Sequence, residues 1–283
     1  LIDHLNSVTP VDGWFTAVYG GRDYQGSAVQ PDGSKGLWQV HNTRKLDGIR
    51  AEIDRLKLDV VENAVALTSL ILALDRVDNT MGHFVSYLRD WSPRSYDTME
   101  LTIPRLWINH QNHAVQREDI FSAIGDQFFD LAYYDPPYGS NNAKMPSSRV
   151  RYASYYHVWS TICLNDRPEV FGAARRRVDS SDRVAGSVFE EFRGNDNGKL
   201  IAVEAIRRLL KETNAQFIAL SYSSNGVATA EQLDSVIKGS GRLLRTAKID
   251  YQRNVMAGMK WTHEWLREVE TNNTEFIFLI EKT

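Results

Sequence analysis

The chain has 283 residues, one cysteine and a formal net charge of −3, with 42% hydrophobic and 24% charged side chains. This is the composition of a globular protein; it excludes an internal disulfide or a thiolate metal cluster, and any nucleic-acid contact must come from a local basic patch. No apolar run approaches the roughly 18 to 20 residues of a membrane-spanning helix and no secretory signal is visible, so a cytoplasmic protein with no membrane partner is expected. The chain opens Leu1-Ile2-Asp3-His4-Leu5-Asn6 without an initiator methionine, and so reads as the middle of a larger gene product. Cys163 lies in the apolar stretch Trp159–Leu164 and is expected to be a packed thiol.

Residues 13 to 36 carry six glycines among aromatic and polar residues and read as loop or short hairpin. From about Asn42 to Val77 the pattern is helical, with Val60, Ala64, Leu67, Ile71 and Leu74 on one face. Asp78-Asn79-Thr80-Met81-Gly82 then reads as a turn. After Pro104 the period changes. His113–Arg117 and Phe128–Tyr134 are expected as buried strands, Lys199–Thr213 as an amphipathic helix and Phe217–Tyr222 as a further strand. Thr229 with Gln232 forms a capping box for a helix ending near Gly239. Leu243–Tyr251 and Glu275–Glu281 complete the strands. Strands alternating with helices predict an α/β fold with a mostly parallel sheet covered by helices on both faces. Residues 1–110 have a different, helical and loop-rich texture and are the candidate for target recognition; residues 111–283 form the α/β domain.

The decisive motif is Asp135-Pro136-Pro137-Tyr138, directly after an apolar strand. Ligands of open α/β sheets bind at the carboxyl ends of strands. The residue types suit methylation of an exocyclic amine, whose lone pair is delocalised into its ring. The Asp135 carboxylate supplies one acceptor for the two amino hydrogens. The Pro136 carbonyl supplies another, since proline removes a donor and sets φ, and Pro137 completes the rigid turn. Tyr138 offers a flat face for a flipped base, a role that needs its ring and not its hydroxyl. His110 and His113 are three apart with no third ligand in view, so no metal is expected.

On these residues the sequence resembles the Dam-like family of adenine-specific DNA methyltransferases. Tyr155-Tyr156-His157, Leu220–Gly226 and Asp75–Phe84 are similar to further elements of that family, and the likeness covers most of the chain from about residue 42. The resemblance implies a Rossmann-like methyltransferase fold with a helical insertion, S-adenosyl-L-methionine as cofactor and double-stranded DNA as partner, in a restriction–modification or related system. It implies catalytic roles for Asp135, Pro136, Pro137 and Tyr138, cofactor contact at Asp119, Ile120 and Asp135, and substrate contact at Tyr156 and His157, although His157 suits a structural role, such as ordering the loop, equally well. Asp119 suits a helix N-cap equally well. No Phe-x-Gly-x-Gly stands ahead of these elements. The expectation is therefore a fold incomplete at its amino end, truncated or completed by another polypeptide that supplies the missing cofactor-binding motif.

Residues 144 to 183 carry eight basic and four acidic side chains, so this stretch, with Arg175, Arg176 and Arg177 at its centre, is the candidate phosphate contact. Trp261 and Trp265 read as core. RNA-base and protein-glutamine methyltransferases usually carry Asn at the motif's first position, which Asp135 disfavours. The rival reading is a non-catalytic DNA-binding subunit or remnant, separable by cofactor binding.

Overall fold

The computed structural model describes residues 1–85, 88–107, 109–139, 152–180, 186–250 and 274–282. In chain order its elements are α1 (Ile2–Asn6), α2 (Trp14–Tyr19), β1 (Gly20–Gly21), β2 (Trp38–Gln39), α3 (Val40–Leu56), α4 (Val60–Arg76), α5 (Ile120–Ala123), β3 (Phe129–Tyr134), α6 (Tyr152–Tyr155), α7 (His157–Leu164), β4 (Val170–Phe171), β5 (Arg176–Arg177), α8 (Ile201–Glu212), β6 (Ala215–Ser223), α9 (Ala230–Lys238), β7 (Gly241–Asp250) and β8 (Thr274–Lys282). They divide into two units, Leu1–Gln111 with Ala153–Asp182, and Asn112–Tyr152 with Arg183–Thr283.

The first unit is helical. The stretch read as one helical pattern breaks where Lys57 turns left-handed at φ 50°, and Asp59 then opens α4 with a capping box to Glu62. The α4 face that packs inward is Ala66, Leu70, Ala73 and Leu74; of the expected face Leu74 is buried and Leu67 partly so, while Val60 is 86% exposed. Almost every position from Val65 to Leu74 is apolar, so the period carried little information. The short α2 has no cap of its own; Asp47 of α3 accepts from the backbone of Gly13, Phe15 and Thr16 at 3.1, 3.0 and 2.8 Å, setting a carboxylate where a helix start favours negative charge. The turn at 78–82 is locked by buried polar groups. Asn79 accepts from the Ser92 amide at 2.8 Å, and buried Asp78 pairs with Arg94. Helix α7 contributes Val158 and Ile162 to the same core as Trp38, Leu46 and Leu70. Cys163 falls off that face and is exposed, contrary to the packed thiol expected.

The second unit is built on a four-stranded sheet in the order β3-β6-β8-β7. β3 pairs with β6 in parallel, while β8 runs antiparallel to both β6 and β7. Three of its four described strands, β3, β6 and β7, thus run the same way, close to the mostly parallel sheet expected, and β8 against them makes it mixed. The chain returns through β8 between β6 and β7, an arrangement that strand hydropathy does not encode. His113–Arg117 forms no strand and Val115 is 97% exposed, a departure: a strand needs a partner for its backbone groups, and none pairs with it among the described residues.

Helices α8 and α9 share one core with Ile218, Leu220 and Tyr222 of β6 and Ile280 of β8. Since successive strand residues face opposite ways, both helices lie on one face of the sheet. On the other face Leu131 and Tyr133 of β3 are 54% and 58% exposed, so among the described residues helices cover one face and not both. Runs such as Phe128–Tyr134 are apolar on both sides, which is why they read as buried throughout.

The loop after β6 closes against its own strand. Tyr222 accepts the Ala228 amide on its hydroxyl at 2.9 Å, and a Cβ on Gly226 would stand 2.7 Å from Tyr222 Cζ. Gly226→Ala should therefore displace the ring or the loop, lowering stability by about 1–3 kcal/mol; an unchanged urea midpoint would show that the loop yields freely.

Candidate active site

The parallel register sets Tyr134, the last residue of β3, opposite Leu220 of β6, which runs on to Ser223, so Asp135 emerges beside Ser221. Pro136 is buried and Asp135 is exposed. The chain then turns through Gly139, whose φ of 62° and close approach to Val227 and Glu190 require glycine. Four contacts fix Tyr138. Its carbonyl accepts from the Val227 amide at 2.9 Å, its ring lies 5.1 Å from that of Tyr222, and its hydroxyl stands 2.9 Å from Ser221 Oγ while donating to Asp135 Oδ1. Burial pushes the Tyr138 phenol well up, and its bond to Asp135 adds to this, so it stays protonated.

A cavity of about 440 Å³ opens at this strand end. Asp119, Ile120, Asp135, Pro136 and Pro137 all line it, together with the segment Gly186–Phe189. The structure thus brings together both halves of the expected site, which lie sixteen residues apart in the chain. Asp119 caps α5 as well, accepting from the Phe121 amide at 2.9 Å. The cap and the cavity position coexist, because its carboxylate has acceptor sites to spare. Tyr138 stands beside the cavity and does not line it.

The segment Gly186–Phe189 carried no signal in the sequence. It is held by Glu190, 1% exposed, which accepts from the Gly186 and Tyr152 amides, both at 3.1 Å. Phe189 stacks on Phe121 at 5.8 Å, and the Arg208 guanidinium lies 4.0 Å over Phe121. Ser221 was within a quoted stretch but without a role.

The residues expected to touch substrate belong to the first unit. Tyr156 is 39% exposed at the start of α7. His157 is 1% exposed, packed near Tyr19 and Phe84, and burial pushes its imidazole down to about 4. This enclosure is what the structural one of its two expected roles requires. Arg177 is also enclosed, 7% exposed between Asp166 and Asp179 at 2.7 and 2.8 Å. Arg175 pairs with Asp32 at 2.7 Å; Arg176 donates to Ser154 and the Ser180 carbonyl and lies over Phe171. These arginines fold the first unit before they meet any phosphate. Lys144, Arg149, Arg151, Arg183, Trp261 and Trp265 lie outside the described residues.

The family model of the D12 class N6 adenine-specific DNA methyltransferases matches residues 18–217. The chain belongs to this family. Among its relatives, the type II methyltransferase M.FokI of Planomicrobium okeanokoites is 28% identical over 249 residues, covering 86% of this chain and 34% of that protein. The modification methylase StsI of Streptococcus sanguinis is 28% identical over 223 residues, 76% of this chain and 31% of that protein. The type II methyltransferase M.NlaIII of Neisseria lactamica is 22% identical over 288 residues, 100% of this chain and 76% of that protein. The chain thus spans about a third of the length of the first two relatives. No solved structure gives a significant match. No helix among the described residues is long and apolar enough to cross a membrane.

Buried His157 gives this family member a pH signature. Its folded value of about 4 lies below the usual 6.5, so the unfolded chain binds the proton first as pH falls. The stability it contributes is full above pH 6.5 and is lost as pH falls from there toward 4, with half-buried His83 shifting the same way. His157→Leu should flatten the fall in denaturation midpoint across this window; an equally steep fall in the variant would assign the effect elsewhere.

Proposed function

We propose that this chain is the catalytic portion of an S-adenosyl-L-methionine-dependent enzyme that methylates the exocyclic amino group of adenine in double-stranded DNA. The observation that carries the reading is the convergence of Asp135-Pro136-Pro137 with Asp119 and Ile120 on one cavity at the carboxyl end of β3, in a chain of this family. Relatives named as modification methylases support a restriction–modification setting. Family membership favours this over a non-catalytic DNA-binding subunit.

The cavity suits the cofactor. Its volume is in the range of small-molecule sites, and it offers carboxylates at Asp119 and Asp135 beside apolar surface from Ile120, Val188 and Phe189. Asp119 and Ile120 would hold the adenosine part, with Asp135 near the reacting end. S-adenosyl-L-methionine, when bound, supplies a methyl carbon already activated by the sulfonium charge. Asp135 and the Pro136 carbonyl accept from the two N–H bonds of the target amine and make its lone pair available. Such preorganised acceptors are effective because they need no rearrangement as charge develops. The Tyr138 ring stacks on the base, which leaves the duplex because its amine is otherwise paired. In the first unit, Tyr156, Arg175 and Arg176 retain exposed surface for DNA contact and Arg177 does not.

The fold is read as a Rossmann-like methyltransferase sheet continued beyond β3. Among the described residues β3 pairs on one side alone, next to exposed Leu131 and Tyr133. An open edge of this kind invites a further strand.

Two measurements test this. Asp135→Ala should lower turnover about a hundredfold or more, since an acceptor worth about 3 kcal/mol in the transition state is lost, with DNA affinity within a few fold; near-normal turnover would overturn the assignment. Calorimetric titration should show S-adenosyl-L-methionine binding that Asp119→Ala weakens; binding unchanged in that variant would place the cofactor elsewhere.

A further inference from the structure

The Tyr138 hydroxyl is more than the end of a stacking ring. It donates to Asp135 Oδ1 and stands 2.9 Å from Ser221 Oγ. An ionised carboxylate only accepts, and a phenol has one proton. With that proton given to Asp135, the Tyr138 oxygen can only accept from serine. The direction of the chain is thereby set: Ser221 donates to Tyr138, and Tyr138 donates to Asp135.

We propose that Ser221 is a positioning residue for Asp135, acting through the Tyr138 hydroxyl. The inference rests on the reading of Asp135 as acceptor for the target amine and extends it to a residue on the neighbouring strand.

Four features make the arrangement specific. Ser221 is 5% exposed, so its hydroxyl is withdrawn from competing water. It is held in the β6–β8 ladder opposite Ile277, and its place beside Asp135 follows from the β3–β6 register. Tyr138 cannot swing away, since Val227 holds its backbone and Tyr222 its ring. Each bond in such a chain polarises the next. Asp135 itself is exposed at the strand end, where a carboxylate would otherwise sample several rotamers. With Oδ1 committed to Tyr138, Oδ2 is the oxygen that meets the amine. The proposal thus departs from the expectation that Tyr138 needs only its ring.

The test compares Ser221→Ala, Ser221→Thr, Tyr138→Phe and the double variant Ser221→Ala/Tyr138→Phe in the full chain. Ser221→Ala should lower kcat about tenfold, the scale of one hydrogen bond to a charged group, with KM for duplex DNA and Tm nearly unchanged. Ser221→Thr, which keeps the hydroxyl, should recover most of the loss. The double variant should be no worse than Tyr138→Phe, because the relay is already broken. In chain labelled with 13C at tyrosine Cζ, the Tyr138 signal, assigned by its loss in Tyr138→Phe, should move in Ser221→Ala and return in Ser221→Thr, whether or not turnover is measurable. An unmoved signal, losses that multiply in the double variant, or a kcat loss that follows Tm would overturn the proposal. Inactive Asp135→Ala with normal Ser221→Ala would end this proposal and leave the function standing; active Asp135→Ala would end the function itself.

Discussion

The parallel pairing of β3 with β6 is the constraint on which the site depends. Two parallel strands in register finish at the same edge, so the turn that leaves one necessarily meets the turn that leaves the other. With Tyr134 opposite Leu220, Asp135 and Tyr138 come down beside Ser221 and Tyr222. A one-residue slip would turn every side chain of β3 to the opposite face. Ala132 and Tyr134 would leave the core they share with α8, and Asp135 would lose its neighbours. The burial of Ile218, Leu220 and Tyr222 beneath α8 and α9 therefore fixes the register that makes the site.

The glycines around the site follow from the same constraint. Gly139 turns left-handed where the motif loop passes Glu190 and Val227, and Gly226 lies against the Tyr222 ring. Val227 bonds back to Tyr138, so the two loops hold each other. A rigid pair of loops is what the amine acceptor proposed at Asp135 needs, because an acceptor displaced by about 1 Å loses much of its advantage.

The first unit shows why charge in a sequence is a weak guide to a binding surface. Arg177 reads as one of three adjacent cations, yet it is enclosed by Asp166 and Asp179, eleven residues before it and two after. Taking such a cation from water costs several kcal/mol unless carboxylates meet it. His157 follows the same logic in the opposite direction: it enters the core by giving up its proton.

Local chemistry was legible without coordinates. A proline pair after an apolar strand made a rigid turn bearing a carboxylate, and Thr229 with Gln232 formed the capping box that opens α9. Both depend on residues within a few positions of one another. The face of α4 was legible only in part, because its apolar residues run all the way round; the absence of a strand at His113–Arg117 was not, since pairing requires a neighbour that no local pattern names. The exposure of Cys163 turned on half a helical turn. Ser221 and the segment Gly186–Phe189 reach the site only through long-range packing, one by strand register and the other by the two amides that Glu190 holds. The sequence by itself determined the reactive group and its turn, since these rest on bonding between near neighbours. Tertiary structure alone decided what surrounds that group, because register and burial are set by contacts between residues remote along the chain.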